Sequence, residues 1–276
     1  MPRVKDPCRS LKLKDFILVI PYLNNKEGLL RSLKSVQYPK DLVEVVIVDD
    51  GSRFALTRED IGGLLESFSQ ITILRSEENK GVAPSLNLAL TGLLNRTDYK
   101  YIARLDCGDL CVNDRLSKQV RYLDQHPEIF LLGTRVLFKN FQTGKEYQYQ
   151  NKSDYKDIKR EMHFKCSFIH PSVMFRREVL NRVGLYPENY LHCEDYAFFY
   201  KIIRQYKAAN LPEILLVSEI NEEGVSAQNR KRQMLSRIRV ISRFGSNPFL
   251  KGAGVWRLLI LLITPFRLVR FLNTLK

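Results

Sequence analysis

Two nearly uninterrupted runs of β-branched and aliphatic residues, Phe16 to Pro21 (FILVIP) and Val43 to Val48 (VEVVIV), open the hydrophobic pattern of the chain. A run without polar alternation belongs to a strand covered on both faces, as in a parallel sheet. Between the two, Leu29, Leu30, Leu33 and Val36 recur at helical spacing within Glu27 to Val36. The pattern predicts a strand, helix, strand unit with a right-handed crossover. Ile71 to Arg75 and Tyr99 to Leu105 predict two more strands, with Ala83 to Leu94 as the helix between them. The first 110 residues thus predict one half of a doubly wound α/β domain, with a mostly parallel central sheet flanked by helices.

Beyond it, Arg115 to Gln125 predicts a helix ending near His126-Pro127, Ile129 to Phe138 a strand, and the polar stretch Lys139 to Asp157 a hairpin or loop. Ser172 to Phe175 is a short apolar run behind His170-Pro171, and Asp195 to Tyr206 predicts an aromatic-rich helix opened by two acids. Length allows one large domain with an appendage, since single cores seldom outgrow about 250 to 300 residues. The expected division is a domain over residues 1–225, with halves at about 15–110 and 111–225, followed by a basic, amphipathic helical tail over 226–276.

Charge sharpens that division. The chain carries 44 Lys and Arg against 30 Asp and Glu, a net charge of +14. Eleven of the basic residues and none of the acidic ones lie between Ser226 and Lys276. A near-neutral body with a cationic end suits an anionic surface. Within the tail, Gln228 to Phe244 places Met234, Leu235, Ile238 and Ile241 among arginines, and Trp256 to Leu275 places Trp256, Leu258, Leu259, Leu262 and Phe266 on one side. Leu258 to Ile263 falls far short of the roughly 20 apolar residues that span a bilayer, so interfacial binding to anionic lipid is expected. Packing on the body or on a second subunit is the other use of such a helix. No zinc finger, RNA-recognition signature or basic recognition helix points to nucleic acid. Five cysteines at scattered spacings predict reduced thiols. The polar N-terminus lacks a signal-peptide core, and the expected location is cytoplasmic, at the inner face of the membrane.

Doubly wound sheets bind ligands at the carboxyl ends of their strands. There the chain places Asn24, then Asp49 and Asp50, then Asp106 and Asp109. No G-x-G-x-x-G follows the first strand, which argues against a dinucleotide oxidoreductase. Asp49-Asp50-Gly51-Ser52 either receives a base or ribose or simply closes an Asx turn. The acids of Arg104-Leu105-Asp106-Cys107-Gly108-Asp109 suit a hard divalent cation bridging a diphosphate, or a solvated turn. Asp195, at a helix start where the dipole favours ionisation, suits a general base or an N-cap. His170 suits a pocket or a loop before proline, and Arg230, Lys231 and Arg232 a solvated face or a diphosphate contact.

These elements, with Ile20-Pro21-Tyr22-Leu23-Asn24, Asn79-Lys80-Gly81 through Asn87, Asp114-Arg115-Leu116, His170-Pro171-Ser172-Val173 and Glu194-Asp195-Tyr196, resemble in order the family 2 inverting glycosyltransferases of the GT-A fold, of the bacterial polysaccharide and lipopolysaccharide type. The resemblance covers about residues 15 to 205. It implies a nucleotide-sugar donor, a UDP-sugar, held by Pro21, Tyr22, Asn24, Asp50, Asn79, Arg104 and Asp106. It further implies Mn²⁺ or Mg²⁺ at Asp106 and Asp109, and His170 and Glu194 in the acceptor or sugar pocket. Asp195 is then the base that activates a hydroxyl of a glycan or lipid-linked acceptor. Gly108 stands where the family usually has an acid, and Leu23 where it commonly has an aromatic. No Gln-x-x-Arg-Trp of processive synthases is present, so single-sugar transfer is expected. A nucleotide-sugar-binding protein without catalysis is the second expectation.

Overall fold

The computed structural model describes residues 13–220 and 229–264. Strands β1 (Lys14–Tyr22), β2 (Val43–Asp50), β3 (Ile71–Ser76) and β4 (Tyr99–Arg104) are parallel, in the order β3-β2-β1-β4. The sheet continues through β8 (Met174–Arg176), which is antiparallel to both neighbours, to β6 (Ile129–Lys139) and β9 (Lys207–Glu219), which pair in parallel. Two short antiparallel strands complete it, β5 (Leu110–Cys111) on β9 and β7 (Glu146–Tyr149) on β6. The sheet is mixed, with its long ladders parallel, as the apolar runs predict.

The absence of polar alternation has the expected cause. Phe16, Leu18 and Ile20 of β1 meet Leu29 and Leu33 of α1 (Lys26–Lys34) and Leu116, Val120 and Leu123 of α3 (Arg115–Gln125) on one face. Ile17 and Val19 meet Leu86, Ala89 and Leu90 of α2 (Val82–Leu93) on the other. Both faces are therefore core, and the strands run side by side toward a common edge at which their carboxyl ends collect.

Two further helices, α4 (Tyr155–Glu161) and α5 (Glu178–Val183), precede α6 (Glu194–Ile203), whose Phe198, Phe199 and Ile202 fill the second face. The stretch expected as a hairpin or loop is both: β6 and β7 form the hairpin, and α4 starts at its end. Strand β9 is not foreseen by pattern because Pro212 interrupts it. The ladder absorbs the interruption as a bulge: Thr134 pairs with Leu211 and Arg135 with Ile214, leaving Pro212 and Glu213 exposed between them.

The segment expected as a tail forms two helices, α7 (Arg230–Phe244) and α8 (Pro248–Ile263), that pack on the body. Met234, Val240 and Ile241 of α7 are buried, the last two in the core shared with α6, and Leu258 of α8 joins them. Leu258 thus faces the body, whereas the sequence pattern put it on the free apolar side; Phe266 lies outside the described residues. Helix α8 starts earlier than expected because Asn247-Pro248 is a start signal: the Asn247 side chain accepts from Leu250 N at 3.0 Å, and Pro248 needs no partner at the first turn.

Helix α8 is locked by His163. The His163 Nδ1 donates to the Lys159 carbonyl at 2.9 Å, and its Nε2 accepts from Asn247 N at 3.3 Å. A Cβ at Gly254 would overlap the His163 carbonyl oxygen. Gly254→Ala is therefore expected to push α8 off the body and cost about 1 to 3 kcal/mol, measured by thermal unfolding. An unchanged unfolding temperature would mean that α8 is not held at this contact.

Candidate active site

A cleft of about 600 Å³ opens where the carboxyl ends of the strands meet α2, α6 and α7. It gathers Asp106 from the turn after β4, His170 from the 3-10 turn before β8, Glu194 and Asp195 from the start of α6, and residues Lys80 to Pro84 at the start of α2. Four residues singled out in the sequence, Asp106, His170, Glu194 and Asp195, thus share one cavity. Tyr186, Glu188, Leu191, His192 and Gln233 complete the lining and carry no sequence signal of their own. A visible trace was Asn87, whose side chain donates to the Tyr186 carbonyl (2.9 Å) and to Glu188 (2.8 Å) and accepts from Tyr186 N (2.9 Å). It holds the 186–188 segment against α2.

The turn after β4 is built on two buried guanidinium groups. Arg115 donates to the Arg104 carbonyl at 2.7 Å. Arg104 donates to the Val19 carbonyl at 2.7 Å, to Asp106 Oδ1 at 2.6 Å and, through Nε, to His170 Nε2 at 3.4 Å. Arg104 is 1% exposed and lies outside the cleft lining, so it does not meet the expectation of a direct donor contact; its hydrogen bonds go to Asp106 and His170, which line the cleft. The Asp106 side chain is 40% exposed. Burial and the Arg104 charge hold His170 well below the usual imidazole range, hence neutral. Its Nε2 lies between two donors, Arg104 Nε and Tyr186 OH at 3.0 Å, which puts the ring proton on Nδ1.

Asp109 departs from expectation. It is 5% exposed, lies outside the cleft lining, and accepts from Glu219 N at 3.3 Å while its Oδ2 has no hydrogen-bond partner among the described residues. Burial, with the Asp106 charge second, pushes it up to about 7. The turn therefore offers the cleft one carboxylate, Asp106. Gly108 between them has φ of +105°, a left-handed conformation that suits glycine. Among the described residues no three His, Cys, Asp or Glu side chains converge on one point. A divalent ion bound with a diphosphate needs one or two protein carboxylates, the rest coming from phosphate and water; Asp106 meets that minimum.

The tips of β1 and β2 lie outside the cleft lining and are tied to each other. Asn24, at φ 49°, donates to Ser52 Oγ at 3.0 Å, and its side chain accepts from Arg53 N at 2.9 Å. Asp49 accepts from Ser52 N, Leu56 N and Arg75, as an Asx turn would. Asp50 accepts from Lys80 N (3.0 Å) and Gly81 N (2.9 Å), and Asn79 from Gly81 N (3.1 Å), so both shape the loop leading into α2. Pro21 is partly exposed and Tyr22 is buried.

Asp195 sits in the first turn of α6 and accepts from Tyr196 N at 2.7 Å. The helix start alone would favour its ionised form. Burial dominates, with the Glu194 and Asp106 charges adding to it and the Tyr196 N–H and Arg237 opposing, and the carboxyl rises to about 6. It remains ionised at neutral pH, within the range of an effective base. His192, at φ 63°, turns the chain into α6, and its N–H donates to Glu194 at 3.0 Å. Cys107, Cys111, Cys166 and Cys193 are free thiols, as expected; Cys8 lies outside the described residues.

The comparisons agree with this geometry. Residues 17–184 match the model of glycosyl transferase family 2. The amylovoran biosynthesis glycosyltransferase AmsE of Erwinia amylovora is 29% identical over 203 residues, covering 72% of this chain and 74% of that protein. The UDP-Gal:alpha-D-GlcNAc-diphosphoundecaprenol beta-1,3-galactosyltransferase of Escherichia coli is 22% identical over 205 residues, covering 73% of this chain and 71% of that one. Among solved structures, the mannosyltransferase PcManGT of Pyrobaculum calidifontis, in complex with GDP-Man and Mn²⁺, superposes with a TM-score of 0.62 at 20% identity, over 87% of this chain and 67% of that chain. That likeness shows the GT-A fold. With a family match over 17–184 that takes in the strand ends, the Asp106 turn and His170, the chain belongs to glycosyl transferase family 2 and is a glycosyltransferase.

Proposed function

We propose that this glycosyltransferase moves one sugar from a UDP-sugar to a hydroxyl of a glycan or lipid-linked acceptor, with inversion, in cell-envelope polysaccharide or lipopolysaccharide assembly at the cytoplasmic face of the membrane. The observation that carries the proposal is the convergence of Asp195 and Asp106 on one cleft. Asp195 takes the acceptor's hydroxyl proton as the oxygen attacks the anomeric carbon. The bond from that carbon to the diphosphate oxygen breaks on the opposite side, UDP departs with the electron pair, and Asp195 releases its proton to solvent. Asp106 is the residue that would hold a divalent ion, which when bound would supply charge neutralisation to the diphosphate. Arg104 holds the Asp106 carboxylate in place, and neutral His170, fixed by Arg104 and Tyr186, lines the sugar side without adding a competing cation. Pro21 and Asn24, accessible at the β1 tip, bracket the base and ribose with Tyr22 packed behind them, and Asn79 and Asp50 shape the loop beside the diphosphate.

The relatives support the acceptor class, one acting in amylovoran biosynthesis and one on a diphosphoundecaprenol-linked sugar. The test is release of nucleoside diphosphate from a panel of UDP- and GDP-sugars, with Mn²⁺, Mg²⁺ or chelator, followed by the anomeric configuration of the product by NMR. Release from a UDP-sugar with an inverted product is expected. Binding of a donor with no release, with or without membrane extract as acceptor, would leave a nucleotide-sugar-binding protein instead.

A further inference from the structure

Helix α8 has two unlike sides. Gly254 and Leu258 face the body, sealed against His163 and α7. On the other side Phe249 is 88% exposed, Trp256 67% and Ile263 81%, with Ile260 and Leu259 at 45% and 41%. Phe249, Trp256, Ile260 and Ile263 are spaced by seven, four and three residues, so they form one stripe along the helix. Large apolar side chains in such a row are out of place on a surface that meets only water.

The surroundings identify what the stripe meets. The two-helix unit of α7 and α8 exposes Lys231, Arg232, Arg239, Arg243 and Arg257. From Ser226 to Lys276 there is no acidic residue, and the chain continues beyond Thr264 with Arg267, Arg270 and Lys276. A fixed apolar ridge, including tryptophan and phenylalanine, within an exclusively cationic segment matches the interface of an anionic bilayer, where apolar burial and charge add. A protein partner of this chemistry would need acids directly around an apolar groove; the bilayer supplies both as a continuous surface. No helix among the described residues is long and apolar enough to cross a membrane.

We infer that the outward face of α8 is a docking surface for an anionic lipid bilayer, with Phe249, Trp256, Ile260 and Ile263 inserted among the headgroups. The docked helix is part of the catalytic body: α7, which packs on α8, brings Gln233 into the cleft lining, and Arg230 on α7 donates to the Leu261 carbonyl of α8 at 3.2 Å. Docking therefore fixes the orientation of the cleft to the membrane as well as its distance. The inference rests on the proposed function for its purpose, the delivery of a lipid-borne acceptor, but its test needs no turnover.

Trp256 is the only tryptophan of the chain, so its fluorescence reports this surface alone. The full chain is mixed with vesicles of phosphatidylglycerol and phosphatidylethanolamine or of phosphatidylcholine alone, and followed by Trp256 emission, quenching by brominated lipid, and co-sedimentation. Expected are a blue shift, bromine quenching and sedimentation with the anionic vesicles, with at least tenfold weaker partitioning for the Phe249→Ser, Ile263→Ser double variant. Sedimentation without a blue shift would mean that charge alone binds, and would overturn the inference. So would emission that is already blue without lipid or turns blue with protein concentration, because the stripe would then be covered by the chain's own remaining residues or a second copy. Donor hydrolysis measured in the same samples separates the two proposals: lipid docking without hydrolysis sinks catalysis only, and hydrolysis without docking sinks the surface only.

Discussion

Asp195→Asn is expected to lower transfer at neutral pH by about 10² to 10⁴-fold, the usual contribution of a positioned base, with donor affinity little changed. The carboxyl titrates near 6 in the wild type because burial, followed by the Glu194 and Asp106 charges, outweighs the Tyr196 N–H and the Arg237 charge. A base works ionised, so transfer rises with pH up to about 6 and levels off above it; the variant lacks that limb. Stability moves the other way. An unfolded Asp titrates near 3.9, so folding favours the protonated carboxyl; this stability is full below about pH 4 and is lost as pH rises through about 6. The amide carries no charge to desolvate and is therefore expected to be the more stable protein at pH 7 to 8, by up to about 3 kcal/mol, and no more stable at pH 4. Single-turnover kinetics and thermal unfolding across pH 4 to 8 check both. A variant that keeps the wild-type rate and pH profile would remove Asp195 from the chemistry.

What the sequence made legible follows from what was encoded locally. Runs such as FILVIP and VEVVIV announce strands covered on both sides, and an acid at the end of such a strand lies at the sheet's carboxyl edge whatever else happens. Asp106 and Asp195 were visible for that reason, one at a strand end and one at a helix start. The fates of Arg104 and Asp109 were not, since one turn of chain turns Asp106 toward the cleft and Asp109 inward, toward β9. Strand β9 itself was hidden by Pro212, which only its pairing with β6 makes tolerable. The wall formed by Tyr186, Leu191, His192 and Gln233 comes from an aperiodic loop and from α7, whose position depends on packing with α6 across long sequence separation. Burial in the folded protein raises the pKa of Asp195, against the Arg237 charge that α7 supplies, where the helix start alone argued for a lowered one.

Removing the Asp106 carboxylate is expected to cost at least about 10²-fold in kcat/KM, on the scale of losing one group that stabilises transition-state charge, and the two obvious substitutions should differ in how they do it. In the proposed mechanism Asp106 has two tasks. Its Oδ1 receives Arg104 Nη2 at 2.6 Å, and its remaining oxygen has no protein hydrogen bond among the described residues and belongs to a residue that lines the cleft. Asp106→Ala removes both functions and leaves a buried guanidinium without its carboxylate, which costs stability as well, by about 1 to 3 kcal/mol. Asp106→Asn keeps an acceptor for Arg104 and therefore the fold, but weakens metal binding because the amide carries no charge. Because Asp109 stands behind the turn and Gly108 has no side chain, no second carboxylate of the turn compensates. The expected result is a chelator-sensitive wild type, an Asp106→Asn protein that unfolds like wild type yet needs far more Mn²⁺ for residual turnover, and an Asp106→Ala protein that is both inactive and less stable. Wild-type kinetics and metal response in Asp106→Asn would reduce Asp106 to an anchor for Arg104 and remove it from the handling of the diphosphate.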